Sequence, residues 1–279
     1  MQNFNYHSHT SFENIFDGKN TADEMLSAYE AKGFKEIGFS NHCIINPVFE
    51  NLPFVHTQNL TDINKAIDIY KRMFDDIDQA AEKHKIKVHK GFEVDFFNTK
   101  GWQKNFERII KEVKPEYLIT ATHFLRNEDD SFLCSIFNLD NLSGVSEENK
   151  KDLIKNYWKR TLDAISSGYF DFVAHFDYCC LFGLASTEEW NDKKIEVVER
   201  IAEKKIACEI NTGGLRVKKE GIKALGRPFP DWWLVKELIK RNVPLIISDD
   251  AHRIAETGFG FLEVEENLKE LNCKNRYKL

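Results

Sequence analysis

Strand-like and helix-like segments alternate along the whole chain, and this alternation limits the possible folds more than any other feature. Seven short apolar segments are predicted as strands, and amphipathic segments that favour helices fill the intervals. The predicted strands are Asn3–Tyr6, Glu36–Phe39, Lys87–Phe92, Tyr117–Ala121, Phe170–Ala174, Ile206–Ile210 and Pro244–Ile247. Uninterrupted strand–helix units imply a parallel sheet. The sequence therefore predicts an α/β fold, a (β/α)7 barrel of the TIM type with parallel strands.

The chain is long enough for this barrel and shows no internal boundary. Its 279 residues are 42% hydrophobic, which is sufficient for one large core. No linker rich in Pro, Gly or Ser and no repeat interrupts it, so we expect residues 1–279 to form a single domain. The polar stretch Arg126–Val145 is predicted to be a long irregular loop at the mouth of the barrel.

Charge and composition narrow the possible partners and location. The net charge of −6 argues against an electrostatic nucleic-acid binder but not against a small anionic substrate. The start, MQNFNYHSHT, lacks the pattern of a signal peptide, and the apolar runs are too short to cross a membrane. The six cysteines show no C-x-x-C spacing, so we expect reduced thiols and a cytoplasmic protein. The sequence does not indicate the oligomeric state.

Histidines and carboxylates recur where the predicted strands end, which is where parallel barrels place their active sites. An H-x-H pair follows the first strand, and alternation in extended chain directs both imidazoles to one side. A D-x-H pair follows the last strand. Imidazole and carboxylate are ligands of Zn, Fe and Mn, and there are too many here for one ion, so we expect a cluster of metals. The candidate ligands are His7, His9, Asp17, His42, Glu93, His123, His175, Asp250 and His252.

Other polar residues are candidates for substrate binding. Arg160 shares a predicted helical face with apolar residues, an unusual place for a charge, and is our candidate for binding phosphate; Arg126 and Arg216 compete for that role. Glu209 and Asn211 end the sixth strand and are candidates for recognising the rest of the substrate. The histidines that lack a strand-end position are interpreted as non-ligands: His56, His84 and His89.

Taken together, these motifs resemble the polymerase and histidinol phosphatase (PHP) family. The matching segments run from Tyr6 to His252 and are YHSHTSFENIFDG, FSNH, GFEVDFF, ATHF, AHFD and SDDAH. Their spacing is similar to that of the stand-alone branch with histidinol-phosphate phosphatase activity. The resemblance implies a distorted (β/α)7 barrel, three divalent metal ions and hydrolysis of L-histidinol phosphate to L-histidinol and phosphate in histidine biosynthesis.

The resemblance also implies how the ligands divide among three ions. The first ion would be held by His7, His9, Glu93 and Asp250, the second by Glu93, His123 and His175, and the third by Asp17, His42 and His252. The chain departs from the family pattern at three positions. Asp17 stands where several relatives have His, Asn41 where Asp is common, and Asp249 where Ser is common.

The expected mechanism follows from this arrangement. Bridged metal ions would make a water acidic enough to attack phosphorus as hydroxide near neutral pH, and Arg160 would offset charge in the transition state. Asp17 or a metal-bound water would protonate the leaving alcohol, and the expected catalytic residues are Asp17, His42 and Arg160. Ser8 points away from the ligands in extended chain, so a serine nucleophile is not expected. Whether the ions are Zn, Fe or Mn is left open by the ligand set.

Three alternatives remain open from the residues alone. The same site could hydrolyse a nucleotide, an oligonucleotide or phosphotyrosine. A metal-dependent amidohydrolase also uses an H-x-H pair and a late Asp. A barrel with purely structural metal is the third alternative, although such sites are usually closed around one ion and rich in Cys.

Overall fold

The computed structural model describes residues 1–45, 62–129, 133–136, 142–181, 183–216 and 226–279. Seven of its ten strands lie close to the seven predicted ones, and two of them, Glu36–Phe39 and Tyr117–Ala121, have the predicted bounds. The strands are β1 (Phe4–Asn5), β2 (Glu36–Phe39), β3 (His42–Cys43), β4 (Lys87–Asp95), β5 (Tyr117–Ala121), β6 (Phe124–Arg126), β7 (Leu133–Ser135), β8 (Phe172–Val173), β9 (Ala207–Asn211) and β10 (Leu245–Ser248).

Seven of these strands form a parallel barrel wall. Their order is β1-β2-β4-β5-β8-β9-β10, and the short β3 pairs with the end of β4. A parallel bridge between Ser8 and Ala251 joins the two ends of this order just beyond β1 and β10. The predicted α/β barrel of parallel strands is therefore confirmed, and the wall closes through the H-x-H and D-x-H segments.

Helices cover the outside of the barrel. They are α1 (Ala22–Ala31), α2 (Ile63–Ala81), α3 (Lys100–Val113), α4 (Glu147–Ser167), α5 (Asn191–Lys204), α6 (Gly213–Arg216), α7 (Trp232–Lys240) and α8 (Phe261–Glu270). Side-chain oxygens of Thr21, Asp62, Thr99 and Ser146 accept from the first free backbone N–H groups of α1 to α4 and so fix where these helices begin. Within the described residues, no helix is long and apolar enough to cross a membrane.

One predicted loop contains regular structure. The strand β6 ends at Arg126, where the predicted loop begins, and β7 lies inside that loop. The two strands pair antiparallel, with Leu125 opposite Cys134. The prediction of an entirely irregular segment was wrong here, because strands of three residues are too short to show an alternating pattern. Residues 130–132 and 137–141 lie outside the described residues.

Aromatic and aliphatic side chains fill the barrel interior below the strand ends. Tyr6, Tyr117 and Phe172 are buried there, and Tyr277 from the end of the chain packs against them. Gly91 leaves the room for Tyr117, because a Cβ at this position would lie 2.6 Å from the tyrosine ring. This packing leaves the carboxyl ends of the strands as the place for a polar site.

Candidate metal centre

The H-x-H pair meets two carboxylates at the point where the barrel closes. His7 Nε2 lies 3.3 Å from Glu93 Oε1 and 3.4 Å from Asp250 Oδ1. His9 Nε2 lies 3.5 Å from Glu93 Oε2 and 3.1 Å from the same Asp250 oxygen. The structure thus brings together the four residues expected around the first ion.

The carboxylate of Glu93 lies at the centre of the cluster. Its Oε1 is 2.9 Å from His175 Nε2 and 3.2 Å from His123 Nε2. Its Oε2 is 3.0 Å from His42 Nδ1. Glu93 therefore contacts residues from all three expected ligand sets, and the second set is also brought together.

A third group lies nearer the solvent. Asp17 Oδ2 is 3.0 Å from His252 Nε2 and 3.4 Å from His42 Nε2, and Asp17 remains 43% exposed. The ring of His9 stacks on His252 with centroids 4.1 Å apart. His9, Asp17, His42 and His252 can each offer one ligand atom, and these atoms all lie within 4.8 Å of one another.

Several atoms of this cluster are buried without a hydrogen-bond partner among the described residues. They are His7 Nε2, His9 Nδ1 and Nε2, Asp17 Oδ1, Glu93 Oε2, His175 Nδ1 and Asp250 Oδ1. Buried polar atoms are normally paired, so such a concentration in one place needs an explanation. Imidazole nitrogens and carboxylate oxygens that face one another without a shared hydrogen repel unless a cation lies between them. The donor set therefore fits divalent metal ions.

A cavity of about 640 Å³ opens above the cluster. Part of its wall is apolar, with Phe16, Phe124, Leu181 and Phe229, and Tyr178 lies between this wall and His175. The remaining wall is polar. It includes Lys19, Asn211, Arg216, Arg253 and Glu256. The cavity is large enough for a small organic molecule and gives it access to the candidate ligands Asp17, His42, Glu93, His123, Asp250 and His252.

A family model of the PHP domain matches residues 5–213, which is more than half of the chain. The chain belongs to the PHP domain family. The matched range includes every candidate metal ligand except Asp250 and His252. These two residues flank Ala251, whose bridge to Ser8 closes the barrel.

Relatives of this PHP domain carry a consistent name. A Deinococcus radiodurans protein named probable histidinol-phosphatase is 25% identical over 190 residues, covering 67% of this chain and 66% of that protein, just under two thirds of its length. The Bacillus subtilis histidinol-phosphatase is 24% identical over 287 residues, covering 94% of this chain and 97% of the relative.

A solved structure shows the same fold. The histidinol phosphate phosphatase of Lactococcus lactis, complexed with Zn, L-histidinol and phosphate, has a TM-score of 0.65 and 18% sequence identity to this chain. The alignment covers 99% of this chain and 95% of that chain. The likeness shows that the distorted barrel of this PHP domain is shared with that enzyme.

The ionisation of the cluster is set by its own carboxylates. Burial disfavours the charged imidazole of His123, but Glu93 and Asp95 outweigh it and raise the pKa of His123 to about 10. Burial likewise opposes the charge on Glu93, yet His123, His7 and His42 hold the pKa of Glu93 well below its ordinary value. The PHP cluster therefore presents ionised carboxylates to whatever cation it binds.

Two further carboxylates lie behind the histidines. Asp95 Oδ2 is 2.8 Å from His123 Nδ1, and its other oxygen accepts from the His123 backbone N–H at 2.9 Å. Glu209 Oε1 is 2.6 Å from His7 Nδ1. The sequence analysis did not single out Asp95 as a site residue. Side chains alternate along β4, so Asp95 lies on the same face as Glu93, which precedes it by two residues. Such partners orient a metal-ligating imidazole.

Of the four predicted substrate-binding residues, only Asn211 belongs to the cavity lining among the described residues. Arg160 is buried on α4, and its Nη2 donates to the Glu128 carbonyl at 2.7 Å. Arg126 is buried over the ring of Phe97, with its guanidinium carbon 3.9 Å from the ring centroid. Neither arginine belongs to the cavity wall as the described residues form it, and Glu209 is fully buried. Asn211 does line the cavity.

The remaining sequence departures have structural counterparts. Asp249 turns away from the cluster and accepts from the Tyr29 hydroxyl at 2.9 Å, and burial raises its pKa to about 6. The side chain of Asn41 holds the H-x-H segment, because its Oδ1 accepts from the Thr10 backbone N–H at 2.8 Å. His84 and His89 bond to carboxylates elsewhere in the structure, and His56 lies outside the described residues.

Proposed function

We propose that this chain is a metal-dependent phosphomonoester hydrolase that converts L-histidinol phosphate to L-histidinol and phosphate, a step of histidine biosynthesis. The observation that carries the proposal is the carboxylate of Glu93 with imidazoles within 3.5 Å of both its oxygens, at the floor of an accessible cavity. The names of its relatives support the substrate. The PHP domain supports hydrolytic phosphatase chemistry.

We propose the metal ligands in three sets. His7, His9, Glu93 and Asp250 would hold one ion, Glu93, His123 and His175 a second, and Asp17, His42 and His252 a third. When bound, divalent ions neutralise phosphoryl oxygens and make a water acidic enough to attack phosphorus near neutral pH. Zn is one of the candidates along with Fe and Mn, because each accepts imidazole and carboxylate.

Among the candidate arginines, Arg216 is the best placed to bind the phosphate group. It lies in the cavity wall, and its guanidinium donates to the backbone carbonyls of Asp249 and Asp250, which fixes its position next to a proposed ligand. Arginine matches phosphate oxygens with paired N–H groups. Arg160 and Arg126 lie outside the cavity lining formed by the described residues and would influence the substrate only through the backbone segments that they hold.

The apolar side of the cavity suits the organic part of the substrate. Phe124, Phe229 and Leu181 offer a surface against which an imidazole ring can pack. Burial opposes the charge on Asp17, but His252 and His42 hold its pKa well below its ordinary value. The role of Asp17 in passing a proton to the leaving alcohol stays a prediction. The net charge of −6 favours a small substrate over a nucleic acid.

Two broader expectations accompany this function. We take residues 1–279 as one domain, because the barrel wall closes only when the segment after β10 meets the segment after β1. A cytoplasmic location also stays a prediction.

The decisive experiment is a phosphate-release screen with the metal-loaded chain. We expect L-histidinol phosphate to give a higher kcat/KM than nucleoside monophosphates or phosphotyrosine, and the Glu93→Gln variant to be inactive on all of them. Higher activity on a nucleotide or on phosphotyrosine would contradict the proposed substrate. Inactivity of the metal-loaded wild type on every ester would contradict the reaction.

A further inference from the structure

Glu209 lies beneath the metal centre and is surrounded by donors. It projects from β9, and its side chain is 0% exposed. Its Oε1 contacts His7 Nδ1 at 2.6 Å and accepts from the Ser248 hydroxyl. Its Oε2 accepts from the His175 backbone N–H at 2.9 Å and from Asn211 Nδ2 at 3.0 Å. These contacts occupy both oxygens, so Glu209 has no surface left to offer a substrate.

The contact with His7 determines where the proton of that imidazole lies. An ionised carboxylate can only accept, so Nδ1 of His7 must carry the hydrogen that is shared with Glu209. Nε2 then has a free lone pair, and this is the atom that lies 3.3 Å from Glu93 and 3.4 Å from Asp250. The opposite tautomer would direct an N–H into the metal centre and could not bind a cation there.

The contact with His175 acts on the backbone instead. His175 has a φ of +20°, outside the regions that residues with a side chain usually adopt. Such a conformation persists where its surroundings hold it, and Glu209 Oε2 anchors the N–H of this residue. The resulting orientation places His175 Nε2 at 2.9 Å from Glu93 Oε1.

We propose that Glu209 is a positioning residue for the metal centre, which fixes the tautomer of His7 and the backbone of His175 at once. One carboxylate thereby positions the imidazoles that follow β1 and β8 towards neighbouring ions. The inference rests on the metal centre of the proposed function. It replaces the role in substrate recognition that the strand-end position of Glu209 had suggested.

The variant Glu209→Gln tests this role because an amide has only one accepting oxygen. It cannot accept both from the His7 imidazole and from the His175 backbone N–H. If its NH₂ group faces His7, the imidazole must accept at Nδ1 and carry its proton on Nε2. If its NH₂ group faces His175, it opposes a backbone N–H that cannot become an acceptor. Loss of such a partner typically lowers metal affinity by about 10- to 100-fold.

Glu36→Gln is the matched control. Glu36 is also a buried carboxylate, 5% exposed, and its Oε1 accepts from Tyr6 at 2.8 Å and contacts His89 Nε2 at 2.8 Å, away from the candidate ligands. Zinc affinity would be measured for the wild type and both variants by competition with a chromophoric chelator. We expect zinc to bind about 10- to 100-fold more weakly to Glu209→Gln and unchanged to Glu36→Gln.

A spectroscopic measurement on the wild type covers the case in which Glu209→Gln does not fold. The ¹⁵N shifts of the His7 ring, assigned with a His7→Asn variant, distinguish the two tautomers. We expect protonated Nδ1 and unprotonated Nε2 in the zinc-loaded protein.

The outcomes separate the two proposals. Unchanged zinc affinity in Glu209→Gln, an equal loss in Glu36→Gln, or a His7 ring with protonated Nε2 would overturn the positioning role. If the wild type still binds zinc when the positioning role of Glu209 is overturned, the proposed function is not contradicted. A wild type that binds no divalent ion would instead contradict the metal centre itself.

Discussion

The backbone N–H of Asp250 donates to the carbonyl oxygen of His7 at 3.0 Å. This bond joins the first and last candidate ligand segments and closes the barrel between them. The site is therefore built at the seam of the fold, and its geometry depends on the whole wall being formed. The first and third proposed ligand sets each combine residues from both ends of the chain, so both ends must be in place before those two ions can be held.

Replacing Arg216 tests the assignment of the phosphate group. We expect Arg216→Ala to raise the KM for L-histidinol phosphate by about 10-fold or more, which corresponds to about 1.4 kcal/mol, because a paired N–H contact to the phosphate is lost. Steady-state kinetics would check it. Arg253→Ala is the control, since Arg253 also lines the cavity but is 57% exposed. An effect confined to Arg160→Ala would favour the assignment made from sequence alone.

Asp95→Asn tests the orientation of His123. Asp95 accepts both from the imidazole Nδ1 and from the backbone N–H of His123, and an amide can keep only one of these bonds. We expect metal affinity to fall by about 10- to 100-fold while the thermal midpoint changes little. Chelator competition and a thermal melt measure the two effects. Asp171→Asn, which alters a carboxylate that caps the Leu118 N–H, should leave metal affinity unchanged.

Glu36 should stabilise the metal-free chain near neutral pH and lose this contribution at acid pH. Burial opposes ionisation of Glu36, but bonds from Lys278, Tyr6 and His89 outweigh it and lower its pKa from 4.5 to about 2. A depressed pKa means that the stabilisation is present above pH 4.5 and is lost as the pH falls towards 2. Urea unfolding should show that Glu36→Gln destabilises the chain more at pH 7 than at pH 2. An equal loss at both values would contradict this.

Two glycine substitutions are expected to have opposite effects on stability, one in the barrel interior and one on the exposed face of α3. Gly91→Ala would place a Cβ at 2.6 Å from the Tyr117 ring, so we expect a loss of about 1–3 kcal/mol from overpacking. A Cβ at Gly101, within α3, meets nothing within 4 Å, so Gly101→Ala should stabilise the chain by roughly 0.5–1 kcal/mol. Urea unfolding measures both free energies. A neutral Gly91→Ala would contradict the packing described for the interior.

The fold and the convergence of the candidate ligands could be predicted from the sequence because both depend on local patterns. Apolar strands alternating with amphipathic helices indicate parallel strands, and parallel strands bring their carboxyl ends together. The hairpin of β6 and β7 could not be predicted, because its strands are too short for a pattern.

The burial and the contacts of individual side chains could not be predicted from the sequence. Glu209 and Asn211 lie two residues apart on the same face of β9, yet Glu209 is buried behind His7 and Asn211 lines the cavity. The helical face of Arg160 was predicted, but its bond to the Glu128 carbonyl depends on how α4 packs against the loop after β6. Such contacts depend on tertiary packing, which cannot be predicted from the spacing of residues along the chain.

The most direct test of the central claim is the metal content of the purified chain, determined by elemental analysis together with that of Glu93→Ala. Glu93 touches all three proposed ligand sets, so we expect more than one divalent ion in the wild type and the loss of most of them in the variant, with an unchanged circular dichroism spectrum. A folded variant that keeps the full metal content of the wild type would contradict the account.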